Sequence, residues 1–467
     1  GRLVLNGVNT ITGNIGIKAG ELVINNDGAL GDVSNDVSFM GGTLTTTASF
    51  ATFRNFNLDV NGNFNVDGST ALTLNGNING ANDLTKSGAG ILTLNGTNTF
   101  RNLNITNGFV VGNATSFGGD IRNAGTAIFN ITGTETYNGN IQGLNTVHGS
   151  MVKDGSGSLT LAGVSLLDWS INKGELVIDA NKFGGNIDIG ALGTAVVSQP
   201  TNGTLAGVLS GTGTILKNGE GTLFLIGDSS AFGGVVKISS GAINTGTADA
   251  KGALGGSLIV ESGGILSGVG TIGSGLNSHI SVADGGILAP GNSIGTLTVN
   301  GNLVLESGSI YNVETDPLNT ESDRITVTGD ATISGGTVAH IGFAGDYALN
   351  TRYTILQADG KLTGSFGNVT SEFAFLNPSL FYDYNAGLVQ LELARNEVPF
   401  ISKGTTANHF AVANALDSMG TSSGIYNAFV KLPDNTTVIA NALDSLSGEI
   451  YGSTSSALIE ESRYIRD

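Results

Sequence analysis

The 467 residues include no cysteine, so no thiol nucleophile is possible, and histidines, carboxylates and hydroxyls are weighed first. The four histidines, His148, His279, His340 and His409, lie far apart, and none has a partner at metal-ligand spacing. Glycoside hydrolysis needs two carboxylates roughly 5–10 Å apart. No Asp-Asp doublet occurs, and most aspartates stand singly in turn-like contexts that Asx turns explain. The one Glu-Glu pair, Glu460-Glu461, falls in a helical stretch and is expected to face solvent. No Gly-x-Ser-x-Gly elbow is expected. Gly268-Val-Gly-Thr-Ile-Gly273 matches Gly-x-Gly-x-x-Gly, but no helix pattern follows it, so it reads as turns between strands. The acidic stretch from Glu314 to Asp323 could hold a cation, and a solvated insertion is the simpler reading. The expectation is therefore no catalytic residue, no metal site and no cofactor.

The elements that carry these residues follow from composition and repetition. Gly is 73 of 467 residues, Pro is 6, charged residues are 12% and apolar residues 40%. Without a Gly-X-Y period this is not collagen, and with so little charge and so much apolar content it is not a disordered chain. Glycines at regular turns between short apolar strands fit, with Thr, Ser and Asn pointing outward. The net charge of −18 argues against nucleic acid as a partner, since that affinity rests on Lys and Arg. No apolar run reaches the eighteen or so residues of a membrane helix. Gly1–Asn9 already reads as mid-strand, which suggests a piece of something longer.

Internal repeats set the architecture. Leu84-Thr-Lys-Ser-Gly-Ala-Gly-Ile-Leu-Thr-Leu94 recurs as Met151-Val-Lys-Asp-Gly-Ser-Gly-Ser-Leu-Thr-Leu161 and as Ile215-Leu-Lys-Asn-Gly-Glu-Gly-Thr-Leu-Phe-Leu225. Downstream, Leu103-x-Ile105, Trp169-x-Ile171 and Val236-x-Ile238 precede Gly108, Gly174 and Gly241, and Ile15-x-Ile17 precedes Gly20. These glycines are separated by near-multiples of about 22 residues, one coil of a parallel β-helix; helical solenoids use longer units. Within a coil the period is two, so Leu92 and Leu94 face one way and Ile91 and Thr93 the other. Trp169 shares the inward register of Leu103 and Ile15 and is expected in the core. Phe224 replaces Thr93 and Thr160 at an outward position, either as part of a contact patch or beneath a loop.

This repeat resembles the passenger-associated repeat of autotransporters, in which a Lys-x-Gly-x-Gly turn precedes a Leu-Thr-Leu strand. The order Leu288-Ala-Pro-Gly-Asn-Ser-Ile-Gly-Thr-Leu-Thr-Val299, Leu303–Ser309, Asp323–Gly329, Tyr353–Leu356 and Leu388–Leu393 resembles the pertactin-like autochaperone segment of that family. The aromatics Phe343, Tyr347, Tyr353, Phe366, Phe373, Phe375, Phe381, Tyr382 and Tyr384 read as the filling of this cap. From Asn396 the pattern turns helical, with apolar spacing over Ala407–Met419 and a second helix start at Pro433-Asp434. The closing stretch resembles the linker before an outer-membrane barrel. The resemblance implies an all-β, right-handed, single-stranded parallel β-helix (solenoid) with a C-terminal autochaperone cap and a short α-helical linker. The implied boundaries are repeats over 1–257, cap over 258–395 and linker over 396–467.

It further implies a surface-exposed or secreted adhesin of a Gram-negative bacterium, translocated through its own C-terminal β-barrel, which is absent from this chain. Partners would be a host-cell surface protein or glycan, with weak self-association as a further option. A toxin or co-haemolytic factor is the alternative, and a polysaccharide-degrading β-helix enzyme ranks below it. Contact residues are expected where segments break the coil period: 35–50, 115–131 and 190–204, hence Asn35, Phe50, Thr115 and Pro200, together with Phe224.

Overall fold

The computed structural model describes residues 1–247, 249–316, 320–342 and 351–464. The fold is a parallel β-solenoid of about 14 turns followed by four short helices. Two compact units make up the chain, one over Gly1–Gly246, Ala250–Ile259 and Thr271–Ser274, the other over Thr247–Asp249, Val260–Gly270 and Gly275–Asp467.

In the first unit, strands of mostly three to five residues stack in parallel and in register. Arg2–Leu5 lies beside Glu21–Ile24, then Thr43–Thr46, Gly62–Val66, Leu84–Ser87 and Asn102–Ile105. Like residues meet along the inward column, as in Leu22↔Leu44↔Phe64. The alternation holds as expected: Leu92 and Leu94 are buried, while Ile91 is exposed and Thr93 half-buried. Trp169 is in the core at 2% exposure, between Met151 and Ile187 in adjacent coils. Its ring lies 5.6 Å from Phe129, and its Nε1 donates to Ser165 Oγ at 2.9 Å, which satisfies the one polar atom that burial would strand.

A second device fixes the corners. Asp168 Oδ1 accepts the N–H of Asn186, and Asn186 Oδ1 accepts the N–H of Val208. Asp120, Asn140 and Val164 repeat the arrangement. Each Asx side chain thus caps a backbone donor one coil further on, where the strand ladder stops. The sequence separation across this joint runs from 18 residues at Asp168/Asn186 to 31 at Asp330/Lys361.

The second unit keeps the parallel stacking over Ile287–Pro290, Ile310–Thr315, Thr337–Gly342 and Asn368–Ser371. It then changes direction. Arg352–Ala358 pairs antiparallel with Leu388–Arg395, which pairs antiparallel with Leu376–Asp383. This hairpin covers the strand edge that parallel stacking leaves open. Four of the expected cap aromatics, Tyr353, Phe366, Phe373 and Phe375, are buried here; Phe381 and Tyr382 are half-buried and Tyr384 is exposed. Phe343 and Tyr347 lie outside the described residues.

The helices are α1 (Ala407–Met419), α2 (Gly424–Val430), α3 (Thr436–Ser447) and α4 (Glu449–Tyr464). Thr406, Ser423 and Asn435 cap the first three through their side-chain oxygens. Phe400 bridges hairpin and helices, with ring centroids 4.8 Å from both Phe375 and Phe429. Helix α1 meets the expected span; α2, too short for a periodic signal, was not expected.

Candidate contact surface

The repeated lysine is the first surprise. Lys86 stands in the inward column between Phe64 and Ile105, and Lys153 and Lys217 occupy the same place between Phe129 and Ile171 and between Val197 and Ile238. All three are fully buried. Lys86 Nζ donates to the carbonyls of Ser87 (2.8 Å), Gly88 (2.8 Å) and, one coil on, Asn107 (3.2 Å). Lys153 and Lys217 repeat the trio on Asp154, Gly155 and Lys173, and on Asn218, Gly219 and Ser240. The turn glycines Gly88, Gly155 and Gly219 have φ of 74°, 76° and 80°, which aims two successive carbonyls at one point. Burial pushes Lys86 down to about 8, so it remains an ammonium at neutral pH, and burial lowers Lys153 and Lys217 as well. With three donors on three carbonyls, these lysines clamp the Lys-x-Gly corner and offer nothing to a ligand.

The expected contact residues fall into three groups. Thr115 and Pro200 are exposed. The N–H and Oγ1 of Thr115 donate to Asn113 Oδ1 in an Asx turn. Phe224 and Phe50 are half-buried on strands; Phe224 faces outward between Thr204 and Asn244 of the neighbouring coils. Asn35 is buried at 3% exposure: its Nδ2 donates to Ile11 and Leu30 carbonyls, and its Oδ1 accepts the N–H of Gly13. It is a corner fastener and cannot touch a partner. Nor are the three segments excursions from the stack. They hold the strands Val37–Phe39 and Thr43–Thr46, Asp120–Asn123 and Thr126–Asn130, and most of Ile187–Ser198. Coil length varies too widely here for a departure from 22 to mark a loop.

What the turns do present is a run of small polar groups. Thr132, Thr134, Ser156, Ser158, Glu175 and Thr194 rim an open groove of about 470 Å³ across adjacent coils. Hydroxyls at coil spacing over a glycine floor suit a polar, extended partner.

The histidines separate into two pairs. His148 and His279 are exposed. His340 is buried between Thr315 Oγ1 (2.8 Å) and Ser371 Oγ (3.0 Å), and burial lowers it to about 4, so it is neutral. His409 Nδ1 faces both Thr405 Oγ1 (3.0 Å) and the Thr405 N–H (3.3 Å), and its Nε2 faces Asp444 Oδ1 (2.7 Å). The Thr405 N–H makes Nδ1 the acceptor and Nε2 the donor to Asp444. The ring thereby ties the start of α1 to α3.

The Gly-x-Ser-x-Gly pattern does occur, at Gly291–Gly295 and Gly420–Gly424. Neither is an elbow, which needs a strand running through the serine into a helix. The first joins two strands, Ile287–Pro290 and Thr296–Val299, and the second joins α1 to α2. Gly268–Gly273 likewise lies between strands. Among the described residues no three His, Cys, Asp or Glu side chains converge as metal ligands. Asp323, at one end of the acidic stretch, is buried; it accepts the N–H groups of Gly295 and Glu314, and burial pushes it up to about 7. Glu460 and Glu461 are exposed.

Repeated glycine corners, an in-register apolar column, a hairpin-sealed edge and a terminal helical segment define the class as a parallel β-solenoid. Over 155 residues, 32% of the chain, it is 37% identical to the adhesin BmaC autotransporter of Brucella suis biovar 1 (strain 1330). Over 227 residues, 38% of the chain, it is 28% identical to an extracellular serine protease of Serratia marcescens. The chain spans 4% and 21% of the lengths of these relatives. No family model matches. Fold and relatives together make this an autotransporter passenger domain.

Proposed function

We propose that the chain is the adhesive, surface-displayed or secreted part of a Gram-negative autotransporter, and that it contacts a host-cell protein or glycan. The similarity to an adhesin autotransporter carries the reading. The groove of hydroxyls over stacked glycine corners supports it, because it offers a repeating polar face without a reaction centre. Secretion would run through a C-terminal β-barrel, with α4 in the pore and the hairpin-capped unit folding first outside the cell. Coils then stack one upon another, each needing mainly its neighbour.

The test is binding of the purified chain to host cells and to immobilised matrix proteins. Saturable binding, reduced by Thr134→Glu with Ser158→Glu in the groove, is expected. Absence of binding to any cell type or matrix protein refutes adhesion. Red-cell lysis measured on the same preparation would favour the toxin alternative.

A proteolytic reading has one relative behind it and one local geometry, the Thr405–His409–Asp444 hydroxyl–imidazole–carboxylate order. Peptide cleavage abolished by His409→Gln would establish it. Cleavage that is absent, or indifferent to that change, leaves the trio as a helix tie.

A further inference from the structure

The second unit contains a pocket of about 570 Å³ whose lining is polar and brings two arginines together in an otherwise acidic protein. Thr296, Glu321, Ser322, Arg324, Arg352 and Thr354 are among the residues that line it, so two guanidiniums face one carboxylate. The topology explains the convergence. Thr296 stands directly beside Arg324 in the outward row of adjacent parallel strands. In the next strand the pairing slips between Thr354 and Leu356, where Ile355 and Leu356 are both buried, so the strand bends next to the arginines.

The two guanidiniums are in different states. Arg352 is committed: its Nε meets Glu392 Oε2 at 2.9 Å, and its Cζ lies 3.9 Å above the Phe381 ring. Arg324 is half-buried and makes no ion pair among the described residues, and its Nε is buried without a hydrogen-bond partner. Arg324 lines the pocket and no described protein group accepts from its side chain, so a guanidinium stands at a cavity of ligand size with its charge uncommitted. The hydroxyls around it are already partly used: Ser322 Oγ donates to the Thr354 carbonyl, and Thr354 Oγ1 accepts from Gln390. Those oxygens still present lone pairs to a ligand's O–H groups.

We infer that this pocket binds a saccharide carrying a single carboxylate or sulfate, with Arg324 holding the anion and the Thr296/Ser322/Thr354 hydroxyls meeting the sugar. Guanidinium matches planar and tetrahedral oxyanions through paired N–H donors. The net charge of −18 repels a polyanion at long range, whereas one charge docked against Arg324 is held at short range. The inference deepens the adhesive reading by naming a receptor chemistry, and rests on it only for biological meaning.

The test uses the full chain with 3′-sialyllactose, 6-sulfo-N-acetylglucosamine, neutral lactose and sodium sulfate as probes, followed by calorimetry or saturation-transfer NMR. At least one of the two anionic sugars should bind about tenfold or more tighter than lactose, and which one does so identifies the anion. Arg324→Gln should lose that preference about tenfold, Arg324→Lys should keep part of it, and added salt should weaken it. Unchanged thermal melting of Arg324→Gln excludes misfolding as the cause; if Arg324→Gln does not fold, the Lys variant and the four-probe comparison on the unaltered chain decide. Equal binding of lactose, binding indifferent to residue 324, or sulfate binding as tightly as either sugar overturns the inference. Cell binding measured alongside separates the two claims. Adhesion undiminished by Arg324→Gln sinks the pocket's role and spares adhesion, while sugar binding without cell adhesion does the reverse.

Discussion

Replacing Lys86 with Met tests the clamp at the repeated corner. Met fills nearly the same volume and suits the apolar column between Phe64 and Ile105, so packing is largely kept. What disappears is the ammonium that joins the Ser87 and Gly88 carbonyls to that of Asn107 in the next coil. Each buried acceptor left bare costs ~1–3 kcal/mol. Against this, removing a buried cation relieves a desolvation penalty of several kcal/mol. Because the three carbonyls stay in place and cannot be made apolar, the loss outweighs the relief, by about 3 kcal/mol. In a solenoid this loss is local, so a global melting curve is the wrong readout. Hydrogen exchange resolved by peptide is the right one. Amides over 84–110 should exchange about a hundredfold faster, while those over 215–243, around the intact Lys217 clamp, should hardly change. A pH signature accompanies it. The folded chain releases the Lys86 proton near 8 while the unfolded chain holds it to about 10.5, so the unaltered protein gains stability as pH rises between these values, and the Met variant shows less of that gain. Protection over 84–110 that is unchanged or increased in the variant would refute the clamp.

Trp169→Ala should cost about 3–5 kcal/mol by opening a cavity beside Phe129 and freeing Ser165, read as lost protection over the strand Trp169–Ile178. Gly155→Ala should cost upward of about 2 kcal/mol, since φ is +76° and a Cβ there would sit 2.2 Å from the Ile131 carbonyl oxygen; limited proteolysis near that corner reports it. Asp323 titrates near 7 when folded and near 3.8 when unfolded, so the stability linked to its proton is present below 3.8 and is lost as pH rises to 7. His340 has the opposite sign: held near 4 against 6.5, it contributes above 6.5 and is lost as pH falls to 4. Melting temperatures of Asp323→Asn and His340→Asn across pH 4–7 should therefore shift in opposite senses relative to the unaltered chain.

The fold was legible because it repeats. Leu92, Leu94 and Trp169 disclose their facing through period two, and three copies of one motif disclose the coil. The buried lysines were printed in that motif and still hidden, because a lysine in a strand is ordinarily exposed and nothing local says that a Gly-x-Gly turn will fold two carbonyls over it. Asn35 was misplaced for a related reason: an Asn at a coil corner is as able to fasten backbone as to greet a partner. Arg54 shows the limit of reading along a chain. It is buried, pairs with Asp27 at 2.8 Å and donates to the Gly31 and Asn35 carbonyls of the preceding coil, a clasp no linear pattern announces. The Arg324 pocket was illegible too, since Thr296, Arg324 and Thr354 meet only after coils of unequal length have been wound.

The Asx joints at the corners bear on how such a gene can change. Several levels are fastened to the next by the same kind of bond, an Asn or Asp oxygen reaching one layer onward, whether the layer between holds 18 residues or 31. Duplicating or losing a whole layer leaves each remaining seam with its mate. Adding residues within a layer is absorbed away from the seam. A change at such a corner leaves a donor with no acceptor, so the stack tolerates changes in length and girth better than changes at these joints.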